Sequence, residues 1–170
     1  DFAEAAQSDI DASDSFELED YEGKSITMFG NTYEIVKAVT GGALSEKVTI
    51  TMMTGPAGGT LQEGESRTFS IGDSSYTVEL TFTDSSDRSK FVVNGESTNL
   101  MDEGDTYTLG DGTVLGLTET LHQNYAGGVH SAEFYLGADK IVLEDDGINA
   151  SGSTDELQVN DETIDGADVE

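Results

Sequence analysis

His122 and His130 are the only histidines among the 170 residues, and they flank the loop Asn124–Gly128. In a hairpin the two rings would face each other. They could then hold a metal with Glu119 or Glu133, since imidazole nitrogens and carboxylate oxygens are ordinary zinc ligands. The simpler reading is two loop-flanking histidines without partnership. Gly72-Asp73-Ser74 has the composition of a hydrolase nucleophile turn. A triad needs a base beside the serine and an acid behind it, whereas Gly-Asp-Ser is ordinary turn chemistry. No Gly-x-Ser-x-Gly, phosphate loop or dinucleotide fingerprint occurs. There is no Cys, which removes disulfides, thiolate nucleophiles and Cys-based zinc sites. The expectation is a protein that is not an enzyme.

Acidic clusters are the other candidate ligands. Asp9, Asp11 and Asp14 are spaced like the start of a calcium loop, but Asp14 stands where an EF-hand needs Gly. Asp84 with Asp87, Asp102-Glu103 with Asp105, Glu144-Asp145-Asp146, and Asp165 with Asp168 form further groups. Calcium takes six to eight oxygens, so each group would need carbonyls or a neighbouring subunit to complete a site. Asp102, Glu103, Asp105, Glu144 and Asp145 are the candidate Ca²⁺ ligands, and no other cofactor is expected. The competing reading is a solvated acidic face.

That face is strongly charged. Seven Lys and Arg stand against 35 Asp and Glu, a net charge of −28. On a folded surface of roughly 8,000 Å² this is about one net charge per 290 Å². Such neighbours repel in dilute buffer, where the screening length is about 8 Å, and scarcely do so at 1 M salt, where it is about 3 Å. This is the composition of a salt-adapted or cation-binding surface. It repels a phosphate backbone, so nucleic acid is not an expected partner. No apolar run approaches 18 residues, so no membrane insertion is expected. The chain begins at Asp1 without Met, and Asn149-Ala150-Ser151 is a glycosylation sequon. Together they suggest a processed, exported chain with Asn149 as the glycan acceptor.

What positions these residues is a repeated phrase. Glu22-Gly23, Glu63-Gly64 and Glu103-Gly104 open EGKSITMFGNTYEIV, EGESRTFSIGDSSYTV and EGDTYTLGDGTVLGL, with starts 41 and 40 residues apart. Each reads as turn, strand, turn, strand, at a spacing typical of repeated β-units. Strand patterns recur every 8–12 residues, as in a sandwich or barrel. The cleanest alternates Tyr76, Val78, Leu80 and Phe82 with Thr77, Glu79, Thr81 and Thr83, one apolar and one wet face. Leu115, Leu117 and Leu121 give the apolar face of a further strand. Asn94-Gly95 marks a hairpin, and Val159-Asn160-Asp161-Glu162 echoes Val93-Asn94-Gly95-Glu96.

The run NYAGGVHSAEFYLGADKIVLEDD from Asn124, preceded by LGLTETLHQ, resembles the closing segment of archaeal S-layer-type proteins, as does GKSITMFGNTYEIVKA in the first repeat. The resemblance covers roughly Gly23 to Asp145. It implies an extracellular β-sandwich building block of a cell-surface array or filament. S-layer subunits usually carry several such domains, so a fibre subunit or an excised module is also compatible.

The expected architecture is therefore an all-β, antiparallel, Ig-like or Greek-key sandwich over residues 21–145, as one unit or as two split near 84–100. Residues 146–170 would be an acidic linker and C-terminal strand. Residues 1–20 read as an extended arm, because Phe2, Ala6, Ile10, Ala12, Phe16 and Leu18 all fall on even positions while the odd positions are mostly polar. Such an arm can complete a neighbour's sheet by strand addition. Head-to-tail contact of this kind gives an open homopolymer if its rotation does not close. The other reading is a surface adhesin or carbohydrate-binding module, with Tyr107, Tyr125 and Tyr135 as a candidate aromatic platform.

Overall fold

The computed structural model describes residues 16–41, 47–125, 128–145 and 156–164. The chain is all-β and every strand pairing resolved is antiparallel. It divides into two compact units, residues 53–139 and the flanking segments 1–52 with 140–170. Residues 84–100, one alternative place for a split, run inside the first of these.

In order, the strands are β1 (Ser25–Met28), β2 (Asn31–Thr40) and β3 (Val48–Thr54), then β4 (Ala57–Gln62), β5 (Ser66–Ile71), β6 (Ser74–Thr83), β7 (Ser89–Val93) and β8 (Glu96–Ser97). They continue with β9 (Thr106–Thr108), β10 (Val114–His122), β11 (His130–Leu136), β12 (Asp139–Asp145), β13 (Glu156–Val159) and β14 (Glu162–Thr163). The flanking segments form a six-stranded sheet, β1-β2-β3-β12-β13-β14. Its core joins Tyr33, Ile35, Ala38, Met52 and Ile141, with Leu18 and Leu143 packed against them. The central unit holds two four-stranded sheets, β4-β11-β10-β9 and β5-β6-β7-β8. Both sheets feed one apolar cluster: Leu61, Leu115, Leu117 and Phe134 from the first, Val78, Leu80, Phe91 and Val93 from the second. Phe134 makes tilted and edge-to-face contacts with Phe91 and Phe69 at centroid distances of 5.3 and 5.4 Å, geometries that aromatic quadrupoles favour.

The central unit is built twice from one plan. Leu61 and Met101 each stand two residues before a Glu-Gly pair. Leu80 faces Phe91 in one sheet, and Leu117 faces Phe134 in the other. Val78 faces Val93, and Leu115 faces Leu136. The register shifts between Leu80 and Phe82, and again between Leu117 and Glu119. The leading residue of each copy pairs with the other copy: Leu61 lies opposite Ala132 in β11, and Met101 opposite Ser89 in β7. The two copies therefore exchange their leading segments.

The bulges overturn part of the expected strand faces. Phe82 was expected on the apolar face and is 47% exposed, while Thr83 is buried at 3%. Likewise Leu121 is 44% exposed and Thr120 buried. An extra residue on one strand of a ladder reverses which face the following side chains take. The hairpin echo has a structural counterpart. Asn94 and Asn160 both adopt positive φ, at 50° and 51°. Their amide oxygens accept backbone N–H groups of Thr77 and Lys140 on the neighbouring strands.

Candidate functional site

Each Glu-Gly pair is a corner with the same bonds. The chain turns at Gly23, Gly64 and Gly104, whose φ values of 69°, 82° and 86° suit glycine. The glycine N–H donates to Ile35, Leu80 or Leu117, and the N–H of that residue donates back to the carbonyl of Lys24, Glu65 or Asp105. Three residues further on, the glutamate carboxylate accepts a strand N–H: Ala38 for Glu22, Thr83 for Glu63 and Thr120 for Glu103. In the two central copies this N–H lies just past the bulge, so the carboxylate supplies an acceptor at the irregular stretch of the ladder. A second acid closes the two central turns, as Glu65 accepts Gln62 N–H and Asp105 accepts Asp102 N–H, both at 3.0 Å. The Gln62 N–H, with Arg67 beside it, holds the Glu65 carboxyl below its usual value. Burial pushes Glu22 above its usual value, against the opposing pull of the Ala38 N–H.

The expected calcium ligands are thereby placed. Glu103 and Asp105 accept backbone N–H groups of the third corner. Glu144 pairs with Lys47 and lies opposite Glu156. Asp145 ends β12 and also has an interaction partner. Among the described residues no three His, Asp or Glu converge to hold a metal ion. Phe2, Ala6, Ile10, Ala12 and Asn149 lie outside the described residues. Leu18 packs against the core of the flanking unit. Phe16 and Leu18 flank the Glu17–Val39 bridge, with Thr40 N–H donating to Phe16 and Leu18 N–H to Ala38. Tyr107 and Tyr135 do not share a face, since Tyr107 packs against the core cluster. Tyr135 lies between the buried inward residues Phe134 and Leu136 and so points the other way. Gly72-Asp73 is the β5–β6 turn.

The histidines do meet. His122 lies opposite His130 in the β10–β11 register, their Nδ1 atoms are 2.8 Å apart and their ring centroids 4.2 Å apart. The loop between them is tied by Gln123, whose side-chain oxygen accepts Val129 N–H and the Tyr125 hydroxyl. Glu119 and Glu133 also lie opposite each other. They are an odd number of residues from the histidines, so they project from the other face and cannot share an ion with them. There they line a shallow concavity with Thr60, Leu121 and Ser131. What backs the histidines is the second corner. Glu63 N–H donates to the His130 carbonyl, and the Glu63 carboxylate accepts the Thr83 N–H and hydroxyl. Thr83 Oγ1 stands 3.4 Å from His122 Nδ1. The sequence signal for this link was Glu63-Gly64 itself, but its target 20 residues on required the bulge.

No family model matches the chain, and no curated protein and no solved structure matches it.

Proposed function

We propose that this chain is an extracellular structural protein of S-layer type that self-assembles into a cell-surface array or filament by strand exchange between copies. In this reading the central unit is a β-sandwich made of two repeats that have already exchanged their leading segments. One observation carries the reading. Leu61 and Met101 each pair with the other repeat, whereas Asp20, at the same place before the first Glu-Gly pair, sits in a 3-10 turn, Glu19–Tyr21. Residues 16–18 pair instead with their own β2. The first repeat thus has a leading segment that makes no such exchange among the described residues. Residues 1–15, which precede that segment and begin the alternating apolar pattern, are the donor in this reading. Strand addition supplies affinity through main-chain bonds and selectivity through alternate side chains. The acidic surface opposes association until salt screens it.

The test is light scattering and negative-stain imaging of the full chain and of a chain lacking residues 1–15, at low and at molar salt. Cutting after residue 15 keeps Leu18 in the flanking core. The full chain is expected to assemble in salt and the shortened one to stay monomeric. A full chain that is monomeric at every salt concentration contradicts self-assembly. A shortened chain that assembles equally well removes the arm as donor.

A further inference from the structure

We propose that His122 and His130 form a two-nitrogen chelate for a divalent late transition ion, with Cu²⁺ preferred over Ni²⁺ and both over Zn²⁺. Four features of the pair support it, beginning with the separation of the two nitrogens. With metal–nitrogen bonds of about 2.0–2.1 Å, a right-angle bite sets two ligand atoms about 2.8–3.0 Å apart, and a tetrahedral one about 3.3–3.4 Å. The Nδ1 separation of 2.8 Å is that of the hydrogen bond joining the rings, and it lies closer to the right-angle bite of the square or tetragonal sites favoured by Cu²⁺ and Ni²⁺ than to the tetrahedral one. The second feature is the tautomer. His122 Nε2 lies 3.1 Å from Asn124 Oδ1, an acceptor, so His122 carries its proton on Nε2 and presents the Nδ1 lone pair. His130 then donates its Nδ1–H to that lone pair, and on ion binding this proton would move through solvent to His130 Nε2, which frees the second Nδ1 lone pair. A carbonyl oxygen on the far ring nitrogen is the usual support of a ligating histidine.

The third feature is rigidity. The two residues are direct partners in a ladder, and the loop joining them is tied by Gln123. Their backbones are therefore fixed relative to each other before an ion arrives. The fourth is charge. The Glu63 carboxylate, bonded to the Thr83 hydroxyl that faces His122, places a negative charge one side chain behind the nitrogens. Both rings are half-buried and keep solvent access. Water would complete the coordination sphere, since Glu119 and Glu133 are on the other face.

Carboxylates will also bind metal weakly on a chain of charge −28, so the test must separate nitrogen from oxygen ligation. Cu²⁺ is titrated into the full chain in excess Mg²⁺, which occupies hard oxygen sites, with proton NMR of the imidazole signals. Only two histidines exist, so both ring signals are identifiable. Expected is broadening of both together at substoichiometric Cu²⁺, saturation at one ion per chain, and an electron spin resonance spectrum showing two nitrogen ligands. His122→Gln and His130→Gln are each expected to weaken Cu²⁺ binding at least tenfold, with the metal-free melting curve as the control for folding. Broadening of one ring alone, or spectra of oxygen ligation only, overturns the proposal on the unaltered chain, whatever the variants do.

Discussion

Glu63 and Thr83 are 20 residues apart and joined twice, because the carboxylate oxygen Oε2 accepts both the Thr83 N–H at 3.0 Å and its hydroxyl at 3.1 Å. Glu103 holds the N–H of Thr120 in the same way, and Thr120 passes its hydroxyl contact to Ser89 at 2.8 Å. Both threonines are buried just past a bulge. The bulge and the carboxylate belong together: the first displaces the backbone from its ladder, and the second receives the displaced N–H.

Removing that acceptor leaves a buried donor unpaired, which costs about 1–3 kcal/mol. Glu103→Ala is therefore expected to lower the melting temperature by several degrees. Glu103→Gln keeps an oxygen at the same reach and should restore most of the loss. Calorimetry of the three proteins checks this, and an equal loss in both variants would show that the charge rather than the acceptor matters.

The bulge also separates two side chains that look alike in the sequence. Leu80 is fully buried in the central cluster, so Leu80→Ala should cost about 2–5 kcal/mol. Phe82 is 47% exposed, so Phe82→Ala should cost far less despite removing a larger side chain. Denaturant unfolding of both measures the difference. A larger loss at Phe82 would place it on the core face and contradict the bulge.

Glu22 carries a pH signature of defined sign. Burial raises its folded-state pKa above the unfolded one, so the folded chain holds that proton more tightly. Its protonated form favours the fold at low pH, and this contribution is lost as pH rises through the carboxyl range to the raised folded value. Glu22→Gln retains an oxygen for Ala38 N–H and has no proton to lose. Its melting temperature relative to the unaltered chain should therefore improve as pH goes from 4 to 7. A relative decline over that interval contradicts the assignment.

The surface charge predicts a strong salt response. Between about 10 mM and 1 M NaCl the screening length falls from roughly 30 Å to 3 Å. The melting temperature is expected to rise steadily across this range, followed by circular dichroism. A flat curve would mean that the −28 charge is already balanced in the folded chain.

Much of the framework is legible in the residues themselves. Asn94-Gly95 and Gly72-Asp73 mark hairpins because their φ demands are local. The Glu-Gly phrases declare the repeat. Three things escape a linear reading. The bulges at 80–82 and 117–119 do so because Phe82 and Leu121 continue the apolar alternation, and only the carboxylate from the distant corner accounts for the reversal. The backbone N–H groups that Glu103 and Asp105 accept do so because the spacing of an acidic cluster does not reveal them. The separation of the histidines from Glu119 and Glu133 depends on face parity, which a residue count gives only once the β10–β11 register is known.

In the proposed assembly the arm of one copy completes the sheet of another. Copies grown with light and heavy nitrogen can be mixed before assembly in molar salt and coupled with a carbodiimide, which joins arm carboxylates such as Asp9 and Asp11 to lysines of the sheets. Peptide masses then report whether each coupled pair came from one chain or two. Strand exchange between copies predicts mixed light–heavy pairs for residues 1–15, at the level expected for random exchange. Coupled arm peptides of a single isotope only would place the arm on its own chain and contradict strand exchange between copies.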